Sequence, residues 1–193
     1  MTNYNDYIDH YKKYFKLFRD MAPEEMVQWG GYQTGEPTGM ASSLESCLCF
    51  YDAIDAKEST LLDAGAGAST WIFRKLLKNV TSTDPDQNYL RIVESIVGGE
   101  SYVAGIENCQ THDYVYWDYG HGNSIRTQLM DIGLSKCKIA MYVDDCHDHE
   151  INSYMQSLAS RNNCNVIYPK SLDTFGRFGA IVKRQTHQFI ANM

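Results

Sequence analysis

No run of apolar residues in this chain approaches the roughly 20 needed to cross a bilayer, so a helical membrane span is not expected. The opening stretch, MTNYNDYIDHYKK, is polar and lacks the apolar centre of a secretory signal. Positive charge is also short. Lys and Arg number 17 against 24 Asp and Glu, a net charge of −7, which argues against a broad nucleic-acid or anionic-membrane surface and leaves at most a local basic groove. The cysteines (Cys47, Cys49, Cys109, Cys137, Cys146, Cys164) are scattered with no CxxC pair, and read as reduced, mostly core thiols of a cytoplasmic protein. Internal repeats, linkers and low-complexity tracts are absent. What is present, 193 residues at 44% hydrophobic and 21% charged, suits a single domain with a substantial core.

Tyr4, Tyr7, Ile8, Tyr11, Phe15, Phe18 and Met21 recur at three- and four-residue spacing, which predicts a first helix ending near Pro23. It either packs on the domain or serves as a lid over substrate. The Gly/Pro-rich stretch 29–39 reads as a loop, and Ser42-x-x-Glu45 as a capping box for a helix through about Ala56. Strands are expected at Leu61–Asp63, Val80–Thr83, Tyr102–Ile106, Tyr114–Trp117, Ile139–Val143, Asn165–Tyr168 and Gly179–Lys183. Helices are expected at Thr70–Lys78, Asn88–Val97, near Ile125–Ile132, and at 150–161. This alternation means βαβ units and a mostly parallel sheet. The segment between the last two strands is too short for a crossover helix, so those strands should pair antiparallel. The expectation is an α/β domain over 1–193, with N-terminal helices and a lid loop in 1–56 and the core sheet in 57–185.

The sharpest feature is Leu61-Leu62-Asp63-Ala64-Gly65-Ala66-Gly67-Ala68-Ser69, a buried strand running into a glycine turn and a helix. Such a turn lets backbone approach a nucleotide-like ligand, with the helix N–H groups pointing at it. It departs from GxGxxG, because the acid precedes the glycines and a third glycine is missing at the fingerprint spacing. An acid there would repel a pyrophosphate and suit a ligand with cationic amino and sulfonium groups. Asp84 closes the next strand, 21 residues after Asp63, where an acid holds ribose hydroxyls in related folds. Asp84-Pro85 could equally form a simple turn.

On these residues the chain resembles the class I S-adenosylmethionine-dependent methyltransferases over roughly residues 40–185. LLDAGAGAS looks like their first motif and VTSTDPD like their second. Ser69 stands where many members have a third glycine and is expected to cap the helix. The resemblance implies a three-layer Rossmann-like fold, a seven-stranded, mostly parallel sheet with an antiparallel last strand. It also implies S-adenosylmethionine as cofactor, held by Asp63, Gly65, Gly67, Ser69 and Asp84. Met40, in the loop before the first core helix, would close over the methionine end, and Glu107 or Asn108 would approach the adenine.

Two further strand ends carry Asp118 with His121, and Asp144 with Asp145, toward the same crevice. Three crowded carboxylates repel one another unless a cation joins them, and hard oxygen ligands select Mg²⁺, Mn²⁺ or Ca²⁺. The pattern is similar to metal-dependent O-methyltransferases of the catechol, caffeoyl-CoA and macrocin type, which implies Asp118, Asp144 and Asp145 as metal ligands. His121 and Asp118 are the catalytic candidates, His121 as general base or as the group that orients Asp118. The bland alternative makes these acids helix caps or solvated loop residues, with Asp145 capping the next helix. Zinc at Cys146, His147 and His149 is disfavoured, because adjacent loop residues rarely converge on a tetrahedral site.

The expectation is metal-assisted O-methylation of a small hydroxylated molecule, with the acceptor pocket built from N-terminal helices, short loops or a second subunit of a homodimer. The rivals are a methyltransferase-like module that binds donor or partner without turnover, and a metal-independent enzyme acting on a macromolecule.

Overall fold

The structure is a computed structural model that describes residues 42, 44–54, 58–120, 122–169 and 177–185. The expected helix around 4–21, the loop 29–39, Met40 and His121 lie outside the described residues. The described elements are α1 (Leu44–Ala53), β1 (Thr60–Ala64), α2 (Ala68–Leu76), β2 (Asn79–Asp84), α3 (Gln87–Val97) and β3 (Tyr102–Ala104). They continue with a 3₁₀ turn (Ile106–Asn108), β4 (His112–Trp117), α4 (Asn123–Ser135), β5 (Cys137–Val143), α5 (His149–Arg161), β6 (Cys164–Ile167) and β7 (Ala180–Arg184).

Seven strands form one sheet in the order β3-β2-β1-β4-β5-β7-β6. β3, β2, β1, β4 and β5 run parallel, while β7 runs antiparallel to both β5 and β6. This is the α/β architecture expected, with one detail that spacing did not reveal. The last strand inserts between β5 and β6 rather than adding outside them. β3 also stops earlier than expected, because Gly105 takes a φ of 79° and the chain turns into the 3₁₀ segment.

The two sheet faces follow from side-chain alternation along buried strands. Leu62, Ala64, Val115, Trp117, Met141 and Val143 face one way, against Met130 and Leu134 of α4 and Ile151, Met155 and Leu158 of α5. Leu61, Tyr114, Tyr116 and Tyr142 face the other way, against Phe50 of α1 and Trp71, Ile72 and Phe73 of α2. On that second face Tyr116 and Tyr142 stack with centroids 5.0 Å apart. Close packing on the first face depends on Gly133, since a Cβ there would stand 2.4 Å from the Trp117 ring. All six cysteines are free, and five are buried. Among the described residues no helix is long and apolar enough to cross a membrane.

Candidate functional site

The strand order reverses between β1 and β4, and the register there brings four strand ends to one level. Ala64 lies beside Thr83 of β2 and Trp117 of β4, and Trp117 lies beside Val143 of β5. The next residues, Gly65, Asp84, Asp118 and Asp144, therefore share the carboxyl edge of the sheet, where ligands bind in open α/β folds. Backbone bonds extend this alignment past the strands: Asp118 N–H donates to the Ala64 carbonyl at 2.8 Å, and Asp144 N–H to the Trp117 carbonyl at 3.0 Å.

Gly65 is required by geometry. Its φ is 103°, and an added Cβ would sit 2.1 Å from the Asp118 carbonyl oxygen. Its N–H and that of Ala66 both donate to the Thr83 carbonyl, at 2.9 and 3.1 Å, which ties the turn to β2. Gly67 has a φ of 171°, extended backbone open to any residue, and its Cβ position lies 3.4 Å from the Tyr89 hydroxyl.

Asp63 has a different place from the one expected. It is fully buried, with Ser69 donating to Oδ1 at 2.8 Å and Thr70 to Oδ2 at 2.6 Å. Burial raises its carboxyl from the usual range to about 6, with the Thr70, Ser69 and Ser82 hydroxyls opposing the rise. In this conformation Asp63 fastens the start of α2 to β1 and does not reach the crevice. Ser69 is likewise buried and spent on Asp63. It sits inside the first turn rather than at the cap, which belongs to Gly67, whose N–H donates to Thr70 Oγ1 at 3.0 Å.

Asp84 is 4% exposed, with Oδ1 accepting from the Asp86 N–H at 2.9 Å. The Gly105 N–H donates to its carbonyl at 3.1 Å. Glu107 is exposed in the 3₁₀ turn, with its carboxylate folded against Gly105. Tyr89, on α3, was not singled out from the sequence. Its phenol is pushed up to about 12 by burial and then by Asp84, Asp118 and Asp63, which places it in the field of all three acids.

The far side holds the expected acids in an unexpected arrangement. Arg126, in the first turns of α4, forms ion pairs with Asp118 through Nη2 and with Asp145 through Nη1. Its Nε donates to the Gly120 carbonyl at 3.2 Å. Asp118 Oδ2 also accepts from Ser42 at 2.8 Å; Asp144 accepts from Ser46 at 3.2 Å and from the Tyr116 hydroxyl at 3.3 Å. Burial pushes the Asp118 carboxyl upward, with Arg126 opposing it and Asp144 and Asp145 adding to it. Asp144 rises for the same first reason, and then because of Asp145.

Asp145 does not cap α5; Asp148 does, accepting from the Glu150 and Ile151 N–H groups. Asp145 instead adopts a φ of 57° and turns its carboxylate to Arg126. The zinc alternative finds no geometry either, since Cys146 is buried with its thiol on the Val143 carbonyl. Among the described residues no group of three His, Cys, Asp or Glu side chains is placed to hold a metal ion. With a guanidinium between two of the three acids and hydroxyls on the third, this donor set does not fit a divalent ion.

Two signals for these partners were present in the sequence. Ser42 and Ser46 are four apart, the spacing of one helix face. Arg126 is the only Lys or Arg between Arg91 and Lys136.

No protein-family model matches the chain, and no curated protein matches it. Solved structures do. The O-methyltransferase TomG from Streptomyces achromogenes, involved in tomaymycin synthesis and solved with SAM, aligns with a TM-score of 0.60 at 12% identity, over 90% of this chain and 96% of that one. An O-methyltransferase from Bacillus cereus in complex with SAH gives 0.59 at 14% identity, over 89% and 97%. A precorrin 8W decarboxylase from Methanobacterium thermoautotrophicum gives 0.53 at 14% identity, over 76% and 92%. At these identities the likeness establishes the Rossmann-like methyltransferase fold.

Proposed function

We propose that the chain is an S-adenosylmethionine-dependent methyltransferase acting on a hydroxyl of a small molecule. The observation that carries this reading is the level carboxyl edge, where a side-chain-free turn at Gly65 stands beside Asp84 and faces Asp118 and Asp144. Because one fold serves several chemistries, the site has to carry the functional argument. Two solved O-methyltransferases of the same fold, holding SAM and SAH, add support.

The residues present fit the donor. Gly65 lets the turn close on the Asp118 backbone, and Asp84 beside it offers a carboxylate to a pair of ribose hydroxyls. Glu107, exposed one strand further out, is the residue this reading assigns to the adenine. Asp63 acts indirectly by fixing the turn. When bound, the donor supplies an electrophilic methyl group on a sulfonium sulfur.

In such a displacement, holding the acceptor oxygen in line with the methyl group supplies much of the rate. The C–S bond breaks as the C–O bond forms, and the hydroxyl proton passes to a carboxylate at the β4–β5 edge. Asp144 is the better candidate, since the Arg126 guanidinium holds Asp118 and Asp145 while Asp144 accepts from the hydroxyls of Ser46 and Tyr116.

Calorimetric titration with S-adenosylmethionine, followed by a methylation assay on hydroxylated small molecules, tests the reading. Asp84→Asn should weaken donor binding about 10- to 100-fold, the loss of a charge-assisted hydrogen bond, without lowering the melting temperature. No donor binding by the wild type refutes the proposal. A second reading, a donor-binding module without turnover, is favoured by one observation: every acid at the β4–β5 edge is engaged by a protein donor. Tight donor binding with no methyl transfer to any hydroxyl would establish it.

A further inference from the structure

We infer that Arg126 is the permanent cation of this crevice, standing where the clustered acids would otherwise require a divalent ion, so that the site neither binds nor needs one. The inference rests on the methyltransferase reading for its catalytic consequence, but not for its binding test. Three carboxylates lie at adjacent strand ends, two of them nearly enclosed: Asp144 is 5% exposed, and the Asp118 side chain 9%. Such a cluster is repulsive in a medium of low polarity and must gain positive charge, take up protons or open to water.

The guanidinium meets that requirement in a fixed geometry. Its fork places separate nitrogens on Asp118 and Asp145 while Nε is anchored on the Gly120 carbonyl, and the side chain is only 15% exposed. A planar fork of this kind suits two carboxylates where an ammonium, as a point charge, would not. The backbone is bent to complete the arrangement. Asp145 is a non-glycine residue in left-handed conformation, a cost of about 1–2 kcal/mol, and its carboxylate is thereby aimed at Arg126 rather than at the helix that follows. Arg177 adds a second positive influence on the Asp144 side. Arg126 is thus a positioning residue: it fixes the two acids that border the acceptor's place and cancels part of their charge.

The test is uptake of Mn²⁺ alone, read by the EPR signal of the free ion, with and without S-adenosylmethionine. Wild-type protein should leave the signal undiminished, and EDTA should leave any methyl transfer unchanged. Arg126→Ala frees the acids and should bind Mn²⁺ at least about 10-fold more tightly than wild type, with a melting temperature that rises on adding the ion. Because removing one partner of a buried ion pair is costly, this variant can lose its fold. Rescue of folding by Mn²⁺ then supports the assignment as well.

Mn²⁺ uptake by the wild type that Asp144→Asn abolishes overturns it. So does an Arg126→Ala variant, folded or not, that gains neither binding nor stability from Mn²⁺. Failure of the wild type to bind donor removes the methyltransferase reading and leaves the Arg126 assignment intact; donor binding together with crevice uptake of Mn²⁺ does the reverse.

Discussion

Replacing Gly65 by alanine should destabilise the protein heavily, whereas the same change at Gly67 should not, although the two glycines look equivalent in the motif. At Gly65 the new methyl would stand 2.1 Å from the Asp118 carbonyl oxygen and 2.6 Å from its carbon, on a backbone with a φ of 103°. Both atoms belong to backbone held by the Asp118 N–H bond to Ala64, so neither can swing aside as a flexible side chain would. Backbone strain of about 1–2 kcal/mol and overpacking of about 1–3 kcal/mol give a loss of roughly 2–5 kcal/mol. For a chain of this size that corresponds to a fall in melting temperature of about 5–20 °C. At Gly67 the φ of 171° is ordinary, and the nearest atom is the movable Tyr89 hydroxyl at 3.4 Å. Gly67→Ala should therefore hold the wild-type melting temperature within about 2 °C, on the usual scale of neutral substitutions. Thermal melts of the two variants, followed by calorimetric titration with S-adenosylmethionine, separate stability from binding. A Gly65→Ala variant that melts with the wild type would refute the close approach of the turn to β4, and with it the geometry assigned to the crevice.

Two further perturbations test the scaffold around the site. Asp63, raised to about 6 by burial, binds its proton more tightly folded than unfolded, so stability should fall as pH rises from about 4 to about 6 and level off above that. That fall amounts to at most about 3 kcal/mol; urea unfolding across this range should show it in the wild type and lack it in Asp63→Asn, and parallel profiles would count against the burial of an ionisable carboxyl there. Gly133→Ala would place a methyl 2.4 Å from the Trp117 ring and should cost about 1–3 kcal/mol, read by denaturant unfolding with tryptophan emission, whereas an unchanged midpoint would mean that α4 does not rest on β4 as described.

The sheet was legible because buried parallel strands are short apolar runs punctuated by acids and glycines, and those punctuation marks are also the crevice residues. Strand order was less so. A short link between β6 and β7 forces antiparallel pairing, but nothing in link length says that β7 enters between β5 and β6. Asp63 was read as a charge offered to a ligand, since spacing places it in the turn. That two following hydroxyls, Ser69 and Thr70, would enclose it depends on the rotation of α2 about its axis. Ser42 was read as a helix cap, a local role, while its hydroxyl goes 76 residues along the chain to Asp118. Local rules find local partners, and this bond is not local.

The acids after β4 and β5 show how a sound electrostatic premise can leave the chemistry open. Crowded carboxylates require positive charge, and that much follows from their spacing alone. The identity of the charge does not, because a cation from solution and a cation from a neighbouring helix satisfy Coulomb's law equally. What separates them is whether a basic side chain can reach, and that depends on how α4 is placed against the strand ends. Gly122 precedes the helix with a φ of 86°, and the helix begins at Asn123, so its fourth residue is Arg126 and its side chain projects back toward the strand ends. The reach of one side chain, Arg126 to Asp118 and Asp145, thus decides whether the crevice is read as a metal centre or as an arginine-bridged acid pair.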